Sequence, residues 1–204
     1  MAYQSDVFLS YLTEKPSGTW VHEHFLPYFK HQLGNALNRP AVIFVDREGI
    51  HSGQKWPNRL KEALATSRCL VGIWSPLYFQ SEWCRNECGI IHHREVALGF
   101  GTNEHPDGLL IGVRVNDGLY FPEYARDTQY ADFEKYFVDG PGFSRTELHV
   151  DFQREIVPLA QDVARIIQQA PEWSPEWLTP PWIEEIIAAL GDPVPPQMEQ
   201  PILV

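Results

Sequence analysis

The sequence predicts an open α/β sheet of five parallel strands with helices on both faces. Three observations predict it. Short apolar runs rich in Val, Ile, Leu and Phe alternate with longer amphipathic stretches over the first 170 residues, the pattern of successive β-α units. The apolar runs are nearly continuous rather than alternating, which suits strands covered on both faces. Taken in order the elements read β-α-β-α-β-α-β-x-β-α, which with right-handed crossovers gives a single flavodoxin-like sheet.

The strands are expected at Asp6 to Tyr11, Ala41 to Asp46, Cys69 to Ser75 and Leu109 to Val115, with a weaker fifth around Gln129 to Phe133. Trp20 to Leu37 reads as a helix, because Val21, Phe25, Tyr28, Phe29 and Leu33 recur at 3.6-residue spacing. Asn58 to Thr66 reads as a short helix with Leu60, Ala63 and Leu64 inward. Ser81 is a good N-cap for a helix over Glu82 to Leu98. Thr146 to Gln169 carries the clearest stripe, from Leu148 and Phe152 through Ile156, Leu159 and Val163 to Ile166.

The composition breaks near residue 171, so the chain divides into a domain over 1–170 and a C-terminal extension over 171–204. The extension holds eight of the 17 prolines and six acidic side chains, with neither Lys nor Arg. Within it, Pro181 can open a short helix that Gly191 closes after Leu190. Trp173, Trp177 and Trp182 are expected to fold back onto the domain or to meet a partner.

The charge balance narrows the partners. With 16 basic and 27 acidic residues, a net charge of −11 disfavours a general nucleic-acid binder, whose surface must neutralise phosphates. Three cysteines, Cys69, Cys84 and Cys88, are too few and odd in number for a disulfide framework. No apolar run approaches the roughly 18 residues of a membrane span. The amino terminus lacks the basic and apolar regions of a signal peptide. A cytoplasmic location without membrane partners is expected.

Phosphate cradles and the nucleophile elbow are missing from the sequence. It contains no GxxxxGK[ST] and no GxSxG, and Gly99-Phe100-Gly101 follows a helix rather than the first strand. The densest polar segment is SPLYFQSEWCRNECGIIHHRE. Cys84, Cys88 and His92 form an i, i+4, i+8 row, but that spacing spreads ligands over about 12 Å of helix, too far for one zinc. No metal site is expected there. Glu87 stands just after the carboxyl end of the third strand, on the rim where open α/β sheets bind ligands, with Trp83 one turn before it. Two further rim elements are the loop DREGIHSGQKW, ending at Trp56, and Ser10-Tyr11 at the end of the first strand.

SDVFLSY, VDREGIHSGQKW and SRCLVGIWSPLYFQSEWCRNE, in this order and spacing, resemble the successive boxes of a Toll/interleukin-1 receptor (TIR) domain over roughly residues 5–170. SxWCxxE is the most specific piece. The resemblance implies two functional branches. Members of one associate only with other TIR domains. Members of the other cleave NAD+ at the nicotinamide-ribose bond, giving nicotinamide and ADP-ribose or a cyclic isomer. In that branch a glutamate of the third helix is essential, and Glu87 falls on its position. The resemblance further implies Trp56 as the aromatic that stacks on nicotinamide and Trp83 as support for Glu87, with Ser10, Tyr11 and Asp46 on the pocket floor. Self-association through the Gly49–Lys55 loop is implied too.

The expectation is therefore an NAD+ glycohydrolase or cyclase with Glu87 as its catalytic residue. NAD+ is the substrate and no separate cofactor is needed. Chain length and the lack of an attached receptor or death domain favour a bacterial signal generator in antiphage defence, feeding a downstream nucleotide-sensing effector. The alternative is a non-catalytic TIR interaction module, in which Glu87 is a surface carboxylate and Trp56 an interface anchor. A mimic of host adaptors is a third reading. A receiver domain is disfavoured, because Asp6 begins the first strand where a receiver needs an acidic cluster after it.

Overall fold

A computed structural model describes residues 2–45 and 58–178. Among them, β1 (Ser5–Ser10), β2 (Ile43–Val45), β3 (Ser67–Trp74), β4 (Leu110–Arg114) and β5 (Tyr130–Asp132) form one parallel sheet in the order β2-β1-β3-β4-β5. This is the flavodoxin-like sheet the sequence predicts. β1 and β3 lie inside it, and apart from Ser5 and Arg68 every residue of the two strands is buried. Their unbroken apolar runs thus follow from having helices above and below. Among the described residues the edge strands β2 and β5 have three residues each.

The helices are α1 (Ser17–Trp20), α2 (Leu26–Leu37), α3 (Asn58–Ala65), α4 (Pro76–Gln80), α5 (Glu82–Leu98), α6 (Glu123–Asp127) and α7 (Glu147–Gln169). α2 packs with α7, while α3 and α4 pack with α5. The single helix expected over 20–37 is interrupted by a π-helical turn at Val21–Phe25. Pro27 has no N–H to give the Glu23 carbonyl and its ring would crowd that group. The turn widens instead, and the Leu26 N–H reaches the Val21 carbonyl. α5 begins at its cap as expected, with the Ser81 hydroxyl accepting from the Cys84 N–H at 3.4 Å. It closes at Gly99, whose φ of 73° is left-handed and suits glycine.

The end of α3 shows how the fold is tied together. The last four carbonyls of a helix have no partner within it. Here each meets a side chain. Thr66 Oγ1 donates to the Glu62 carbonyl (2.7 Å), Ser67 Oγ to Ala63 (2.7 Å), Arg94 Nη2 to Leu64 (2.9 Å) and Trp173 Nε1 to Ala65 (3.1 Å). The Arg94 guanidinium also lies 4.4 Å from the Trp177 ring centroid, and Tyr3 Oη donates to the Pro171 carbonyl at 2.7 Å. Trp173 and Trp177 therefore rest on the domain. Trp182 and the helix expected from Pro181 to Leu190 lie outside the described residues. No helix among the described residues is long and apolar enough to cross a membrane.

Asp6 has a structural task at the opposite end of β1 from Ser10. It is buried, and Arg39 grips it with two hydrogen bonds of 2.6 and 2.7 Å, while the Val42 N–H adds a third at 2.9 Å. Burial favours the neutral acid, but these donors outweigh it and hold the Asp6 pKa below 3.8. Because the folded value lies below the unfolded one, this stabilisation is complete above pH 3.8 and is lost as pH falls through the folded pKa. Arg39→Ala should lower stability by about 1–3 kcal/mol at pH 7, since it removes two of the three hydrogen bonds to a buried carboxylate. In thermal melts of the two proteins from pH 7 to pH 3, the gap should close as Asp6 protonates. A gap independent of pH would contradict the assignment.

Candidate active site

The strand order reverses between β1 and β3: β2 is laid down on one side of β1, while β3, β4 and β5 follow on the other. Connections leave to opposite sides there, and the crevice beyond the strand ends is where open α/β sheets take ligands. Ser10 is the last residue of β1. Two short steps after β3 comes α5, which carries Glu87 in its second turn.

These two residues meet. Ser10 Oγ donates to Glu87 Oε2 at 2.5 Å, and both side chains are buried, Glu87 with 8% of its surface exposed. A charge so placed is costly unless hydrogen-bonded, and the serine supplies a bond. Behind Ser10 lies Tyr78 of α4, its Oη 2.5 Å from Ser10 Oγ and 3.1 Å from Cys88 Sγ. Burial, with the Glu87 charge adding to it, pushes the Tyr78 hydroxyl far above its usual range and the Cys88 thiol up to about 12. Both groups keep their protons at neutral pH.

The other residues the sequence singles out are distributed as follows. Tyr11 is buried, and its hydroxyl pairs with His22 Nε2 at 2.7 Å. Ser10 and Tyr11 thus diverge at the strand end, as successive strand residues do. Trp83 is half-buried on α5, one turn before Glu87. Asp46, Trp56 and the Gly49–Lys55 loop lie outside the described residues. Cys84 and Cys88 are packed in the core, and burial raises the Cys84 thiol as well. His92 shares a 3.2 Å contact with Glu95 and stacks on Tyr124. Among the described residues no group of three or more His, Cys, Asp and Glu could hold a metal ion.

Sequence reading missed Tyr78, because α4 spans only five residues and passes for part of a loop. The available signal was Ser75-Pro76, a capping residue followed by proline at the first helical position. The site is thus a buried carboxylate at a sheet switch point, backed by hydroxyl donors. It can accept hydrogen bonds from ligand hydroxyls and stabilise positive charge forming beside it.

A family model described as the TIR domain matches residues 7–145, more than half of the sequence, and the chain belongs to the TIR domain family. No curated protein matches. Among solved structures 26 chains match. One is the TIR domains of the activated Roq1 resistosome directly recognising the pathogen effector XopQ. It is 18% identical and covers 81% of this chain and 96% of that one, with a TM-score of 0.37. A likeness at that level carries no inference about activity.

The burial of the three free cysteines yields a direct check. At pH 8 a disulfide exchange reagent should find no fast-reacting thiol in the native protein and three after denaturation. A fast native thiol would contradict the burial of the cysteines, and one traced to Cys88 would contradict its packing against Tyr78.

Proposed function

We propose that this TIR domain cleaves NAD+ at the nicotinamide-ribose bond, with Glu87 as the catalytic carboxylate. The observation that carries the reading is the placement of Glu87, buried at the β1/β3 switch point and hydrogen-bonded through one oxygen to Ser10.

An ordinary glycoside requires two carboxylates, one of which protonates the leaving oxygen. NAD+ carries its leaving group as a cationic pyridinium. The C1′–N bond breaks with its electron pair going to nitrogen, and nicotinamide departs neutral without a proton. One carboxylate then suffices. Glu87 engages the hydroxyls of the nicotinamide ribose and stabilises the oxocarbenium charge as it develops. Trp56 stacks on the nicotinamide, Trp83 supports the geometry of Glu87, and Ser10 and Asp46 bind substrate, while Tyr11, turned away to His22, acts from behind the strand end. Attack at C1′ by water, which loses a proton to solvent, yields ADP-ribose. Attack by a nucleophile of the same molecule yields a cyclic isomer.

Two copies associate in this reading, with the Gly49–Lys55 loop of one completing the site of another. The product serves as a signal in bacterial antiphage defence, sensed by a downstream effector that binds nucleotides.

The test is incubation of the purified chain with NAD+ at high protein concentration, products being resolved by chromatography and mass. Wild type should release nicotinamide, and the companion product's mass separates hydrolase from cyclase. Glu87→Gln, which keeps shape and removes charge, should lower the rate by about 100-fold or more while the melting curve stays cooperative. Equal rates for the two proteins would overturn the role of Glu87. No release by wild type even when crowded or tethered into oligomers would favour the interaction module instead.

Specific activity should also rise with protein concentration, with a lag at low concentration. Activity strictly proportional to concentration would contradict completion of the site by a second copy.

A further inference from the structure

The donor order around Ser10 is fixed by proton inventory. A hydroxyl has one proton to give. With Glu87 ionised and able only to accept, Ser10 gives its proton to Glu87 Oε2, so the contact with Tyr78 runs from Tyr78 Oη to Ser10 Oγ. Tyr78 has then spent its own proton, and the contact with Cys88 must run from the thiol to Tyr78 Oη. The result is one directed chain, Cys88 S–H to Tyr78 O–H to Ser10 O–H to the Glu87 carboxylate.

The sheet is shaped to admit it. Gly72 is the register partner of Ser10 across β1 and β3. A Cβ there would stand 3.2 Å from Tyr78 Oη and 2.4 Å from Trp74 Nε1. Without it the tyrosine passes over β3 to reach β1. The Tyr78 ring is held edge-on to Phe79 at 5.1 Å, and its side chain is fully buried, so its hydroxyl points one way.

We infer that Tyr78, with Ser10 and Cys88 on either side of it, is a positioning residue that fixes the orientation and ionisation of Glu87. The inference rests on the NAD+ reading for its catalytic consequence, but the hydrogen-bond chain is measurable without turnover. Each donor strengthens the next, so Ser10 is a better donor to the carboxylate with Tyr78 behind it than alone. Among the described residues, the groups that couple to the Glu87 charge are Cys84 and Cys88 of α5 and Tyr78 of α4. All three have raised pKa values and stay neutral while Glu87 titrates.

The experiment uses the full chain with ¹³C-labelled glutamate carboxyls, Glu87 being assigned by its loss in Glu87→Gln. Removing a donor to a carboxylate raises its pKa. Tyr78→Phe, which keeps the ring, should raise the Glu87 pKa by about half a unit, and Ser10→Ala by about one unit or more. With NAD+ as substrate, Tyr78→Phe should lower kcat about 10-fold with KM changed less than about 3-fold, and the acid limb of the pH profile should move up with the NMR pKa. Cys88→Ser, which keeps a donor, should resemble wild type, whereas Cys88→Ala should shift in the direction of Tyr78→Phe. This pair carries the test if Tyr78→Phe does not fold.

An unchanged Glu87 pKa and kcat in Tyr78→Phe, or identical behaviour of Cys88→Ser and Cys88→Ala, would overturn the inference while leaving the NAD+ reading intact if wild type still turns over. Shifted pKa values in a wild type that releases no nicotinamide would support the chain and defeat the NAD+ reading.

Discussion

Everything at the rim depends on how α5 is seated, and two adjacent buried charges seat it. Arg94 reaches back to the Leu64 and Ser67 carbonyls at 2.9 and 3.0 Å. Glu95 accepts the Leu110 N–H at 2.6 Å. Burying a guanidinium and a carboxylate is costly, and burial pulls the Arg94 pKa down to about 10. Such groups are tolerated only where hydrogen bonds meet them, which makes the seating specific. Arg94 joins α5 to the end of α3 and the start of β3, and Glu95 joins it to β4. Glu87 lies seven residues before Arg94, two turns along the same face and about 10 Å away. Fixing Arg94 therefore fixes which way Glu87 looks.

The same logic of placement runs through the rim around Glu87. A glycine at 72 leaves room for Tyr78 and for the Trp74 indole, and Gly112 beside it in β4 leaves room for the far edge of that indole. Trp74 in turn packs on Phe79 and Phe121, which holds α4 against the sheet. Core packing and the hydrogen-bond chain are thus one construction. The C-terminal residues contribute at a distance, because Trp173 satisfies the final carbonyl of α3 and Trp177 covers the Arg94 guanidinium.

Much of this was legible in the amino-acid sequence. Strands buried on both faces announce themselves as apolar runs, so β1, β3 and β4 were placed to within two residues. α5 was placed to the residue, its start because Ser81 is a strong local cap signal. Glu87 was legible as a carboxylate just beyond a strand end. What escaped depends on contacts between distant parts of the chain. Asp6 looked like a strand start, and nothing local tells that Arg39, 33 residues on, will grip it. Nothing in the local sequence marks Arg94 for burial, because its partners are the carbonyls of Leu64 and Ser67. Tyr78 sits in a helix too short for periodicity to register, and its partner Ser10 is 68 residues away. The π-helical turn was encoded by Pro27, but the apolar spacing of a longer helix masked it.

The central claim is that one oriented carboxylate is enough, because the bond to nicotinamide breaks ahead of attack on C1′. The direct measurement is the competitive secondary isotope effect on kcat/KM with NAD+ deuterated at the C1′ of the nicotinamide ribose. The account predicts a clear normal effect, the protiated substrate reacting faster, because C1′ flattens towards an oxocarbenium ion before the nucleophile bonds to it. An effect of unity or an inverse one, with bond cleavage shown to limit the rate, would mean that attack accompanies departure. A second group would then have to activate the nucleophile, and Glu87 alone would not account for the reaction.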